Sequence, residues 1–182
     1  MKFIDKHDDP WHALGGEDGP PVSINAQAHL LLNLTQWHAA RARWPRDIAV
    51  GLSLGNDQDV EDSAIDLERF SLVALQFPRW VDGRAYSQAR LLRARYRFNG
   101  EIRATGEVLV DMIPLLVRTG FDAATMRSDQ SIDIALQALQ AFRGHYQGDV
   151  RAGLPLFALP PGAADALARE PTREFVNEGV AI

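Results

Sequence analysis

The chain has 182 residues, of which 46% are hydrophobic and 24% charged, the composition of one soluble globular domain with a sizeable core. Its net charge of −5 argues against nucleic-acid binding, which needs a basic surface. No apolar run approaches the ~18 residues of a membrane span and no signal-peptide core is present, so we expect a cytoplasmic protein without a membrane partner.

Both ends of the chain differ from its middle. Residues 1–28 are predicted to be an N-terminal arm, because they begin with a stretch rich in Gly, Pro, Asp and His. Residues 148–182 are predicted to be a Pro- and Gly-rich C-terminal tail with one short helix over 163–169. The residues between them, 29–147, are predicted to form a single α/β domain.

Strand and helix patterns alternate in the first half of this domain. HLLLNL (29–34) predicts a strand, and the helical pattern that follows has Thr35 as a candidate N-cap. IAVGLSL (48–54) predicts a second strand, and 60–67 a short helix or turn. FSLVALQF (70–77) is apolar enough to be a central strand with both faces covered.

The alternation continues in the second half. Helix 83–96 carries an apolar stripe at helical spacing, and the last helix does the same. The predicted elements are helix 83–96, strand 101–105, helix 108–117, strand 121–126 and a final helix capped by Ser128 or Asp129. Pro114 falls inside its helix pattern, so that helix either kinks, which we favour, or begins near Asp111.

Strands that alternate with helices predict βαβ units and a mainly parallel sheet of about five strands. Such a sheet closes either as a layered α/β sandwich or as a part-barrel. We favour the sandwich because the strands are too few for a closed barrel.

The carboxyl ends of parallel strands meet at one edge of a sheet, where α/β proteins place their ligands. Three successive loops at that edge carry arginines, and guanidinium groups match oxyanions. We therefore predict an anion site formed by Arg84, Ser87, Arg103 and Arg127. Its supporting residues are Asp82, Gly83, Gly106, Glu107 and Asp111.

Structural explanations of the same residues remain open. Asp82 and Gly83 also fit a turn with a helix cap. Arg103 follows Glu101 on the same strand face, so a structural ion pair is equally consistent with the pattern. No dinucleotide, P-loop or nucleophile-elbow motif occurs, so catalytic residues and any organic cofactor stay unknown.

The sequence contains no cysteine, which excludes disulfides, thiol nucleophiles and clusters held by thiolates. Its five histidines are scattered without metal-ligand spacing. We therefore expect no metal, haem or iron–sulfur cluster bound by this chain.

Residues 77–123, FPRWVDGRAYSQARLLRARYRFNGEIRATGEVLVDMIPLLVRTGFDA, resemble the core signature of a bacterial family of unknown function. Members of that family are often labelled oxidoreductases of sulfite reduction and are typically encoded beside assimilatory sulfite reductase. The resemblance covers about residues 29–147 and is densest over 70–124. The anion-site and supporting positions other than Glu107 and Arg127 belong to the matching residues.

The resemblance implies a role in sulfur assimilation without assigning a reaction. Sulfite reduction needs a sirohaem and a thiolate-held iron–sulfur cluster, which a chain without cysteine cannot hold. The first hypothesis is therefore an accessory protein, or candidate oxidoreductase, that binds a small oxyanion or sulfite reductase itself. The alternative is an enzyme that acts on a small anionic or phosphorylated substrate with flavin or NADPH. The oligomeric state, including a homo-oligomer, stays open.

Overall fold

The structure, a computed structural model, describes residues 1–5, 7–14, 24–61, 65–141, 147–150, 154, 156–160 and 162. The helix predicted over 163–169 lies outside the described residues, as does the middle of the predicted turn 60–67. None of the described helices is long and apolar enough to cross a membrane.

The described chain forms seven short strands and four α-helices. The strands are Lys2–Phe3 (β1), His12–Ala13 (β2), Leu30–Asn33 (β3), Val50–Leu54 (β4), Phe70–Phe77 (β5), Glu101–Gly106 (β6) and Ala123–Ala124 (β7). The helices are Leu34–Ala40 (α1), Arg84–Ala94 (α2), Ile113–Thr119 (α3) and Ile132–Ala141 (α4). Single 3-10 turns cover Arg41–Arg43, Leu67–Arg69, Val110–Met112 and Leu156–Ala158.

All seven strands join one parallel sheet in the order β1-β7-β6-β5-β4-β3-β2. The α/β class and the parallel sheet are thereby confirmed. From β2 to β7 the order follows the chain without a reversal, and the sheet curls into a half-barrel. The part-barrel, the closure that we did not favour, is therefore the one that this sheet adopts.

The strand count exceeds the predicted number because the N-terminal arm supplies two strands. β1 pairs with β7 at one edge of the sheet, and β2 pairs with β3 at the opposite edge. Each is only two residues long, too short to leave a period-two pattern in the sequence. The chain between them therefore passes from one edge of the half-barrel to the other.

The centre of the sheet is β5, as its apolar sequence predicts. It pairs with β4 on one side and β6 on the other. Val73 and Leu75 are both fully buried, in the same cluster as apolar side chains of all four helices. Leu72, Ala74 and Ala123 are buried outside that cluster, and we call the sheet face that carries them the inner face.

Two predicted helix caps were wrong, and of the two alternatives for Pro114 the less favoured one is correct. Helix α1 is capped by Asn33 rather than Thr35, because the Asn33 side chain accepts the Gln36 N–H at 2.8 Å in a capping box. Pro114 does not kink a helix: it lies in the first turn of α3, where a missing N–H costs no hydrogen bond. The start of α4 is capped by Ser131, whose Oγ accepts the Ile134 N–H at 3.5 Å.

Candidate functional site

Loops that follow neighbouring strands meet at the carboxyl edge of the sheet. The Glu107 N–H donates to the Phe77 carbonyl at 2.8 Å, which joins the ends of β6 and β5. The Arg127 N–H donates to the Val108 carbonyl at 3.1 Å, which ties the loop after β7 to the loop after β6. We call this surface the carboxyl edge and define it as residues 55–59, 78–84, 107–112 and 125–131.

Gln88 of α2 ties a further loop to this edge. Its amide Nε2 donates to the carbonyls of Gly55 at 2.9 Å and Gln58 at 2.8 Å, so the loop after β4 is held against the helix. The Gln88 side chain is buried, and sequence analysis did not predict that it holds this loop. A buried polar position on an otherwise apolar helix stripe was the available signal.

Gly106 makes the close approach of β5 and β6 possible. Its φ of +91° is unfavourable for residues with a side chain, and a Cβ there would lie 2.4 Å from the Phe77 carbonyl oxygen. The predicted supporting role of Gly106 is therefore a backbone role, since it lets the Glu107 N–H reach Phe77.

Arg84 and Asp82 form an ion pair at the start of α2. The Arg84 Nη2 and Nε lie 2.7 Å and 3.0 Å from the two carboxylate oxygens, and the Arg84 N–H also donates to Asp82 at 3.2 Å. The guanidinium side chain is 59% exposed. Gly83 is the N-cap residue, and Ser87 lies exposed one turn into the helix. The side-chain and then the backbone hydrogen bonds from Arg84 lower the pKa of Asp82 to about 2.

This ion pair predicts a measurable titration. Because the pKa of Asp82 is lower in the folded chain than its ordinary 3.8, the ionised carboxylate stabilises the fold above that value. That contribution is lost as the pH falls through about 2. An NMR titration of the Asp82 side-chain carboxyl carbon is expected to give a midpoint near the lower value, and Arg84→Gln should return it toward 3.8. Arg90→Gln, an exposed arginine of the same helix, is the control and should leave it in place. A midpoint near 3.8 in the unmodified chain would contradict the pairing.

Arg127 is held by two carboxylates. Its Nη2 and Nε lie 2.5 Å and 2.9 Å from the two oxygens of Asp129, and its Nη1 lies 3.0 Å from Glu107. The hydrogen bond from Arg127 lowers the pKa of Asp129. Asp111, also at this edge, lies exposed on the turn before α3.

Arg103 lies away from the other predicted site residues. It is in the interior of β6 on the inner face, three residues before the strand ends at Gly106, and thus about 10 Å from the carboxyl edge. Its side chain is 5% exposed and contacts Glu101 at 2.7 Å and Asp9 at 2.5 Å. The structural ion pair with Glu101 that the sequence allowed is present. The structure thus brings Arg84, Ser87 and Arg127 to one edge and leaves Arg103 on a different surface.

The carboxyl edge carries more negative than positive charge. Its residues include six acidic and three basic side chains, and both Arg84 and Arg127 are engaged by carboxylates. A small oxyanion would have to compete with these carboxylates for each guanidinium group. Within the described ranges, no three His, Asp or Glu side chains are grouped to hold a metal ion. The anion site at this edge stays a prediction.

Two large apolar side chains project from the same edge. Trp80 is 58% exposed and Val81 is 65% exposed, side by side in the loop after β5. Exposed Trp beside Arg is typical of protein-binding surfaces, where such residues contribute much of the binding energy. Sequence reasoning placed this loop correctly but overlooked Trp80, although an aromatic residue inside a polar loop was a visible signal.

A cavity of about 500 Å³ lies at the amino end of β6, lined by residues that include Arg93, Glu101 and Asp122. The Arg93 guanidinium is used within the fold: it donates to the carbonyls of Gly120 and Gly100, both at 3.0 Å, and pairs with Asp122. Arg93 therefore fastens the segments around β6 and β7.

Comparison with known protein families matches the part of the chain that builds this edge. A family model described as a bacterial protein of unknown function (DUF934) matches residues 51–157, from β4 to beyond α4. A search of curated proteins found no match. Because the model spans more than half of the 182 residues, the chain belongs to this family of bacterial proteins of unknown function.

Proposed function

We propose that the protein is an accessory component of assimilatory sulfite reduction that binds the reductase through its carboxyl edge. The link to sulfite reduction rests on the resemblance described for residues 77–123. A chain without cysteine cannot supply the thiolates of the reductase cluster, so its contribution must be something other than the reducing centre.

The observation that carries the proposal is the exposed pair Trp80 and Val81. Exposing apolar side chains to water costs about 25 cal/mol for each Å² of apolar area. Docking on a partner removes that cost because it buries the area. The pair lies in a loop anchored at both ends, by the buried β5 and by α2. A loop fixed in this way presents its apolar residues with little loss of conformational entropy on binding.

The charge pattern favours docking over small-anion binding at this edge. Exposed ion pairs such as Arg84 with Asp82 contribute little to folding, but they can exchange partners across an interface. Because the carboxyl edge carries more acidic than basic side chains, it favours binding to a partner with a basic patch. Association should therefore weaken as the salt concentration rises.

The test is a binding titration between the immobilised chain and purified assimilatory sulfite reductase. The double variant Trp80→Ala with Val81→Ser should bind roughly thirtyfold more weakly, as expected for loss of a hot spot of about 2 kcal/mol. The control is Tyr96→Ala, which removes a 37% exposed aromatic ring beyond the far end of α2 and should bind like the unmodified chain. Equal affinities of all three chains, or no binding to the reductase, would refute the proposal.

The same preparation discriminates the remaining hypotheses. Sulfite binding by the unmodified chain that is lost in Arg84→Ala would favour the oxyanion site at the carboxyl edge. A flavin absorption spectrum, or a fluorescence response to NADPH, would favour an enzyme that acts on a small anionic substrate.

A further inference from the structure

The segment between β1 and β2 crosses the inner face of the half-barrel. We call its described residues, 4–5 and 7–11, the strap. Its course follows from its contacts: Asp9 reaches Arg103 on β6, and the Trp11 ring lies over Gly51 on β4, where a Cβ would approach the ring to 2.9 Å. The strap therefore covers the middle of the sheet.

The inner face beneath the strap carries a buried cation among small side chains. At the level of Arg103 the neighbouring strands contribute small side chains, which the register places in one row with it: Ser53, Ala74 and Ala123. Arg103 is the long cationic side chain in that row. A guanidinium group among small residues, on a face shielded from water, is a strong electrostatic attractor for an anion.

The donors of Arg103 are divided between the sheet and the strap. Its Nε and Nη2 contact Glu101, a residue of the same strand, both at 2.7 Å. Its Nη1 contacts Asp9 of the strap at 2.5 Å. The second oxygen of Asp9 accepts the backbone N–H of Trp11 at 3.1 Å, so a hydrogen bond within the strap orients the carboxylate. The Nη1 atom of the guanidinium is thus occupied by the carboxylate of Asp9, a residue distant from Arg103 in the sequence.

The strap is held less firmly than the sheet it covers. None of its described residues is buried, and only Ile4, Asp9 and Trp11 are partly covered. Its ends are fastened by two-residue strands, through hydrogen bonds such as Ile4 N–H to the Ala124 carbonyl and His12 N–H to the His29 carbonyl. Segments with few apolar contacts open at a lower free energy than the core does.

From these contacts we infer a closed oxyanion site on the inner face, in which Asp9 occupies the position that a ligand's oxyanion takes at Arg103. A small inorganic oxyanion, such as sulfite, sulfate or phosphate, replaces the Asp9 carboxylate at Nη1 and displaces the strap. This site lies on a different surface from Trp80 and does not depend on docking to the reductase. It also explains why Arg103 is buried with two carboxylates when one would neutralise it.

The experiment compares Asp9→Ala with Asp8→Ala by calorimetric titration with sulfite, and with chloride at equal ionic strength. Both variants remove one acidic side chain from the strap, but only Asp9 contacts Arg103. Asp9→Ala should bind sulfite roughly tenfold more tightly than Asp8→Ala, because an internal competitor for a charge-assisted hydrogen bond is gone. Equal affinities would show that only the overall charge matters and would overturn the inference.

A measurement on the unmodified chain keeps the test decisive if Asp9→Ala folds poorly. Amide hydrogen exchange at Ile4 and His12 should quicken in saturating sulfite, since an anion at Arg103 lifts the strap that these amides fasten. Exchange that is unchanged by sulfite while the anion binds would place the anion elsewhere. No sulfite binding by either the unmodified chain or a folded Asp9→Ala chain would also overturn the inference.

Discussion

Replacing Arg103 with methionine is expected to lower the free energy of unfolding by about 3 kcal/mol, the lower end of the cost of breaking a buried ion pair. The reason is that Glu101 and Asp9 would keep their charges on a covered face without the guanidinium that compensates them. Both carboxylates retain some exposure, 25% and 17%, which limits the loss. Urea unfolding followed by circular dichroism measures it.

Two controls separate charge from packing in this experiment. Arg90→Met removes an exposed arginine and should change stability by no more than about 0.5 kcal/mol. Adding Glu101→Gln and Asp9→Asn to Arg103→Met should recover part of the loss, since no uncompensated charge then remains. An Arg103→Met chain as stable as the Arg90→Met chain would show that the cluster does not stabilise the fold.

Gly106→Ala is expected to destabilise the protein by a similar amount, about 3 kcal/mol, from backbone strain at positive φ together with steric overlap. The overlap cannot be relieved by a rotamer change, because the Cβ meets the backbone carbonyl of Phe77 at 2.4 Å, where β5 and β6 end side by side. The ends of β5 and β6 would separate, and the loops of the carboxyl edge would shift with them. Thermal unfolding and the Glu107 amide exchange rate report both effects.

Gly83→Ala is the matched control for Gly106→Ala. Gly83 has a φ of −86°, and its added Cβ meets nothing closer than the Tyr86 ring at 3.6 Å. Its substitution should cost only about 0.5–1 kcal/mol, because Ala is a poorer N-cap than Gly but meets no steric overlap here. Comparable losses in the two variants would show that the backbone geometry at Gly106 is not the cause, because the lower entropy of the unfolded Ala chain acts in the stabilising direction.

Much of the fold follows from local pattern. The eight residues of β5 are apolar enough that only a central strand accommodates them, and the structure buries Val73 and Leu75 completely. The apolar stripe predicted for this helix, Ala85, Ala89, Leu92 and Tyr96, is buried at its first three positions, whereas Tyr96 lies beyond the end of α2 and is exposed. Helix ends were less predictable, because Asn33 and Ser131 compete with nearby polar residues for the capping position and only geometry decides.

The candidate site was predictable in part. The positions of Arg84, Ser87 and Arg127 at the carboxyl edge follow from their place after β5 and β7 in a parallel sheet. Their pairing with Asp82, Glu107 and Asp129 does not follow, because the sequence does not specify which rotamers bring opposite charges together. Arg103 was misplaced although the bounds of β6 were predicted to within one residue: it lies in the interior of the strand, and so cannot belong to the loop that follows the strand.

Local sequence patterns were sufficient to predict the α/β class, the parallel sheet, its central strand, the buried face of α2 and the family. These are consequences of hydrophobic periodicity and local motif, which act over a few residues. The tertiary structure was needed to show that the sheet curls into a half-barrel, that the strap crosses its inner face and that Asp9 meets Arg103 across 94 residues of chain. Such contacts depend on the balance between long-range packing and chain entropy, and no local pattern records that balance.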